Sequence, residues 1–115
     1  MKSNLLHLDS ILECIDHVRK YIGNMTAEEL RLNEAVRDAV IFRVALIGEA
    51  ASHLSDDLKD KYSHIPWSDI VGMRNILIHD YEGIDDVRVW DVITEHLGPL
   101  KEAAENMIKE LDQGT

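Results

Sequence analysis

Met73-Arg74-Asn75-Ile76-Leu77-Ile78-His79-Asp80-Tyr81 crowds a guanidinium, an amide, an imidazole and a phenol in among apolar neighbours. On a helix turning about 100° per residue, with Arg74 at the origin, Asn75 and His79 fall at about 100° and 140°. Gly72 and Ser68 join them in a narrow polar strip. Ile70, Val71, Met73, Ile76, Leu77 and Ile78 fill most of the remaining circle, the pattern of a helix set in a core. Arg74 and Tyr81 lie close together by angle, inside that apolar arc. A guanidinium there needs a carboxylate partner or a substrate anion, because a buried unpaired charge costs several kcal/mol. A structural ion pair and a functional site both fit this pattern.

Upstream of this stretch the chain reads as helices. Leu5, Leu8, Leu12, Ile15, Val18 and Ile22 recur at three- and four-residue steps and place a first helix over residues 4–22, stopped by Gly23-Asn24. Thr26-Ala27-Glu28-Glu29 is a capping box opening a second helix, which the pattern of Val36, Val40, Val44, Ile47, Ala51 and Leu54 carries to about Leu54. Gly48 costs that helix about 1 kcal/mol relative to alanine, so a close helix–helix approach is expected there. Glu49 stands in an otherwise apolar run and is the leading partner for Arg74. Arg43, six residues earlier, is placed to add positive charge to the same cleft. Residues 55–62 read as a short capped turn, and His64-Ile65-Pro66-Trp67 as the loop that enters the motif helix.

Downstream, residues 80–85 contain Gly83 and several acids and are expected to close the motif helix, leaving Tyr81 at its frayed end. A last helix runs from Asp86 to Leu111 on Trp90, Ile93, Leu97, Leu100, Ala104, Met107 and Leu111. Its register persists across Gly98-Pro99, which predicts a kink rather than a break. Gly114 and the residues around it read as a frayed end. The expected architecture is all-α, an antiparallel bundle of four to five helices in a single domain spanning 1–115.

Composition limits what such a bundle does. The formal net charge is −10, from 22 acidic residues against 12 Lys and Arg. Broad electrostatic capture of duplex DNA is therefore excluded, and RNA binding has to rest on Arg concentrated in a cleft, which an oligomer would double. The single Cys14 excludes an intrachain disulfide, suits a reducing cytosol and reads as a small core residue. No apolar run approaches a membrane span or a signal segment, so a cytoplasmic location is expected. Glu13–His17 and Glu49–His53 are spaced one helical turn apart, but neither forms the Glu-x-x-His doublet of di-metal bundles. No metal and no cofactor is expected.

Arg, a polar residue, three more residues and then His-x-Tyr resembles the signature of the HEPN superfamily in its HepT-like branch. The resemblance includes Ile47-Gly48-Glu49-Ala50-Ala51, Ile65-Pro66-Trp67, Gly72-Met73-Arg74-Asn75 and the Val89-Trp90 helix, in that order, and covers roughly residues 5–111. It implies a HEPN-like helical fold and an RNase toxin whose partner antitoxin is a small nucleotidyltransferase of the MntA kind. Arg74 and His79 would be catalytic in that reading, and Tyr81 would be the residue that the partner adenylylates. The chemistry of the side chains agrees. An imidazole such as His79 serves as base or acid near neutral pH, and Arg74 offers a fork matched to phosphate oxygens. Asn75 can orient either group, with Glu49 and Arg43 in support. One chain carries one imidazole in the motif; a homodimer, typical of the family, would supply two. The rival readings are a non-catalytic helical interaction module and a nucleotide-binding accessory subunit, though no glycine-rich phosphate loop supports the latter.

Overall fold

The structure, a computed structural model, describes residues 2–75 and 86–113. The first helix, α1 (Lys2–Ile22), buries Leu8, Ile15, Val18 and Ile22 of the anticipated stripe, while Ile11 joins them in place of Leu5 and Leu12, which are only partly buried. Gly23 takes a left-handed φ of 53°, and its amide closes the helix on the Arg19 carbonyl at 2.9 Å. That conformation costs glycine little, which explains why the helix stops there.

The capping box forms as written. Glu29 N donates to Thr26 Oγ1 at 3.1 Å, and Thr26 N to Glu29 Oε1 at 3.0 Å. The helix it opens does not run to Leu54, however. It ends early, as α2 (Ala27–Leu32), and a separate α3 (Glu34–Ser52) begins after Asn33. Asn33 is extended (φ −97°, ψ 90°), and its Oδ1 accepts the Val36 N–H at 3.1 Å. A short amide side chain competes with the helix for backbone donors, and here it caps a new helix instead of continuing the old one.

Two contacts fix the direction of α1 against its neighbours. Asn4, near the start of α1, accepts the Ser55 N–H at 3.1 Å and donates to Ser55 Oγ at 3.4 Å, just past the end of α3. At the opposite end the Arg19 guanidinium lies beside Gly98, near the start of the last helix. Helix α1 is thus antiparallel to both. Ser55 also N-caps the short α4 (Asp56–Asp60), which buries Leu58.

Trp67 anchors the entry to the motif. Its indole N–H is shared between the carbonyls of Lys59 at 3.2 Å and Tyr62 at 3.1 Å, while Ile65 beside it is buried. Helix α5 (Trp67–Gly72) follows, and then a 3₁₀ turn (Met73–Asn75). Beyond the undescribed stretch, α6 (Asp86–Asp91) is pinned to α3 by Arg37 Nε donating to Asp86 Oδ1 at 2.8 Å. A π-helical turn (Val92–His96) leads directly into α7 (Leu97–Gln113), with the Leu97 N–H donating to the Val92 carbonyl five residues back. Pro99 has no N–H to give, and its ring would crowd the carbonyl four residues before it. The π turn immediately ahead absorbs that conflict without interrupting the rod. Downstream of the π turn the expected register holds at Leu97, Leu100, Ala104 and Met107, but upstream the turn shifts it by one residue, so that Val89 and Val92 are buried and Trp90 and Ile93 only partly so.

Among the described residues there are helices and helical turns and no strand. The fold is all-α and HEPN-like. Its core joins Leu8, Ile15, Val44, Ile47, Ile70, Met73, Leu100 and Met107 across α1, α3, the motif and α7. Helix α1 thereby packs between α3 and α7, and α5 packs against α3. The molecule measures 47 × 28 × 22 Å, its long axis close to the about 40 Å that a rod from Asp86 to Gln113 spans at about 1.5 Å per residue.

Candidate functional site

The site is built on the seam between α3 and the motif, and Gly48 makes that seam possible. A Cβ placed on Gly48 would stand 2.7 Å from the Ile70 carbonyl oxygen, 2.8 Å from the Arg74 amide nitrogen and 3.2 Å from the Val71 carbonyl oxygen. No side chain fits, so the close approach expected at this glycine is real, and it is made directly to the backbone of the motif. Ile70 and Met73 are buried on the same side. They lock the 3₁₀ turn in place from its inner face.

The geometry of Arg74 differs from the sequence expectation in two ways. The residue sits in a 3₁₀ turn rather than in an α-helix, so the 100° spacing does not extend through it; a 3₁₀ turn advances about 120° per residue. Nor is the guanidinium buried, since its side chain is 41% exposed. The turn lifts Arg74 out of the apolar arc and onto the rim of the bundle. There it meets the expected acid: Arg74 Nη1 lies 3.7 Å from Glu49 Oε2, and the Glu49 side chain is 51% exposed. Exposed pairs of this kind are worth about 0–1 kcal/mol. The contact places the guanidinium and leaves it open to solvent.

Glu49 has a second and shorter partner. His53 Nε2 lies 2.9 Å from Glu49 Oε1, one turn further along α3. The His53 ring stacks on His7 of α1, with centroids 5.0 Å apart and an interplanar angle of 19°. A continuous polar row therefore runs Arg74, Glu49, His53, His7 across three elements. The sequence spacing placed His53 beside Glu49, but the stack with His7 is a product of tertiary packing. Among the described residues no group of three or more metal-ligating side chains converges, in this row or elsewhere.

The other expected site residues divide into three cases. Asn75 is exposed at the end of the 3₁₀ turn, beside Arg74 in the chain. Arg43 is directed elsewhere: its guanidinium faces Cys14 and Tyr21 of α1, and their proximity raises its pKa further. Cys14 is a buried core residue, and burial pushes its thiol up in pKa in spite of Arg43. His79, Tyr81 and the expected loop at 80–85 lie outside the described residues, as does Gly114. One residue that the sequence reading passed over does approach the motif. Arg88 of α6 brings Nη2 to within 3.6 Å of where a Gly72 Cβ would be. Nothing in its linear context marks it, since it is one exposed cation on an amphipathic turn.

A helical bundle with no strand among its described residues, carrying an open Arg-Asn turn on its rim, is the class of protein that fold and site define. The family described as Ribonuclease HepT-like matches residues 11–107. The chain belongs to this HepT-like ribonuclease family of the HEPN superfamily. "Putative RNase MJ1216" of Methanocaldococcus jannaschii is 36% identical over 105 residues, 91% of this chain and 87% of that protein. "Probable ribonuclease HepT" of Thermococcus cleftensis is 30% identical over 108 residues, covering 94% and 98% of the two chains. "Gamma-glutamylcyclotransferase and putative RNase MJ0434" of M. jannaschii is 36% identical over 108 residues, 94% of this chain, which spans only 49% of that longer protein. No solved structure is a significant match.

Proposed function

We propose that this protein is a metal-independent endoribonuclease, the toxin of a cytoplasmic toxin–antitoxin pair, acting at a site completed by a second copy of the chain. Membership of the HepT-like ribonuclease family supports the reaction class. The observation that carries the assignment to Arg74 is its position: a guanidinium held by its backbone against Gly48, yet 41% exposed and, among the described residues, met by Glu49 at 3.7 Å. Such a group is pre-positioned and still able to give both arms of its fork to a phosphate.

In the proposed reaction one His79 takes the proton of a ribose 2′-hydroxyl. The freed oxygen attacks the adjacent phosphorus and forms a cyclic phosphate. The bond to the 5′-oxygen breaks, and the His79 of the second protomer donates the proton to that leaving oxygen. Arg74 stabilises the charge that builds on the non-bridging oxygens, and Asn75 orients phosphate or imidazole. Control is assigned to Tyr81: an MntA-type nucleotidyltransferase attaches AMP to the phenol, and the added phosphodiester competes for Arg74 and repels incoming backbone.

Incubating purified protein with single-stranded RNA in EDTA tests this reading. Cleavage that leaves cyclic phosphate ends and is lost in Arg74→Ala and His79→Ala is the expected result. Cleavage undiminished in both variants removes the catalytic assignment, and loss of activity in EDTA points to a metal. A non-catalytic interaction module is the second reading; the net charge of −10 and the Arg74–Glu49 contact favour it. In that case neither variant alters RNA, and both weaken assembly.

A further inference from the structure

The row from Arg74 to His7 contains a competition for one carboxylate. Glu49 faces two partners, and the distances are unequal: 2.9 Å to His53 Nε2 and 3.7 Å to Arg74 Nη1. The first is a hydrogen bond. The second is beyond hydrogen-bond length and acts through charge alone. His53 thus holds the carboxylate away from full engagement with the guanidinium, and the stack on His7 fixes the plane of the imidazole that does so. With Glu49 and His53 both about half exposed, 51% and 54%, no burial forces this arrangement. It is set by the partner contacts.

We infer that His53 is a positioning residue for Arg74: by holding Glu49, it keeps the guanidinium fork free for an RNA phosphate. The inference rests on the reading of Arg74 as the phosphate-binding group. Its physical basis is that an arginine and a carboxylate in reach of each other frequently close into a two-bonded fork, which a competing partner on the acid disfavours. A guanidinium closed in that way has spent the donors that a phosphate needs. His53 does not touch the substrate in this account. It acts on Arg74 only through Glu49, and His7 acts on His53.

A double-substitution cycle separates this role from a direct contact or a structural one. In a His79→Ala background that prevents cleavage, binding of a fluorescein-labelled single-stranded RNA is measured by anisotropy. His53→Ala is expected to weaken binding about fivefold, within the range of an exposed ion-pair effect. Adding Glu49→Gln should abolish that loss, since the amide cannot close on Arg74 as an anion does. An equal loss with and without Glu49, or no loss at all, overturns the proposal. A second readout does not depend on RNA. The Arg74 guanidinium ¹⁵N–¹H signals should shift in His53→Ala and return toward their original positions when Glu49→Gln is added. If RNA binding is absent but these signals move and return, the assignment of function fails while the Glu49 competition stands. If they do not move, the positioning role is refuted.

Discussion

Gly48 and Arg74 meet through their backbones: the space where a Gly48 Cβ would stand is 2.8 Å from the Arg74 amide nitrogen. The same point is 2.7 Å from the Ile70 carbonyl oxygen. Ile70 and Arg74 are the acceptor and donor that an α-helix would pair four residues apart. Helix α3 therefore presses on the turn of the motif where α-helix gives way to 3₁₀, and the residue carried just past that point is Arg74. Fold and site are linked at a single glycine.

Gly48→Ala tests that link, because two effects of opposite sign compete. Alanine raises helix propensity by about 1 kcal/mol. Its methyl group, however, would meet two backbone atoms at distances that methyl carbons do not tolerate, and backbone yields less than a flexible side chain does. Overpacking of this kind costs about 1–3 kcal/mol, so clash should win. A fall in Tm of a few degrees, with helical content retained, is expected by circular dichroism. An unchanged or higher Tm would show that the seam can open without cost.

Tyr62 offers a pH test of the fold that is independent of the site. Its hydroxyl donates to Glu110 Oε1 at 2.6 Å, tying the segment before the motif to the end of α7. The carboxylate and partial burial push the phenol up from 10.0 to about 12. The ionised form is thus disfavoured in the folded chain, so the unfolded chain loses its proton first as pH rises. The contribution is fully present below pH 10 and is lost between pH 10 and about 12. Urea unfolding followed across that window should show stability falling with pH, and Tyr62→Phe should flatten that part of the curve.

The composite site predicts a dependence on concentration. If cleavage needs an imidazole from each of two chains, specific activity should fall on dilution in step with the dimer fraction measured by sedimentation. Activity per chain that stays constant while the protein becomes monomeric would place the whole reaction in one protomer.

Control through Tyr81 predicts a mass. Co-expression with an MntA-type nucleotidyltransferase should add the mass of one or more AMP groups, located on Tyr81 by peptide spectrometry, and should silence RNA cleavage. Tyr81→Phe should escape silencing while remaining active. Silencing without modification would instead assign control to complex formation.

The all-α class, the buried stripes of α1, α3 and α7, the capping box at Thr26 and the stop at Gly23 were legible in the linear sequence. Each rests on interactions within a few residues, where helical periodicity and capping chemistry act. The tight approach at Gly48 and the pairing of Glu49 with Arg74 were legible for a different reason: a glycine and an acid stood out against an apolar run. Four features could be decided only by tertiary structure. The break at Asn33 pits capping against helix continuation, and packing of α2 and α3 settles which prevails. The exposure of Arg74 follows from a 3₁₀ turn that α3 presses upon, whereas an ideal helix puts the same residue among apolar neighbours. Arg43, which the sequence placed by proximity alone, faces Cys14 and Tyr21 because α1 packs along that side of α3. His7 and His53 are distant in the chain and stack only because α1 runs antiparallel to α3. Local rules fix which helices form; the side chains that share a surface are chosen by how those helices pack.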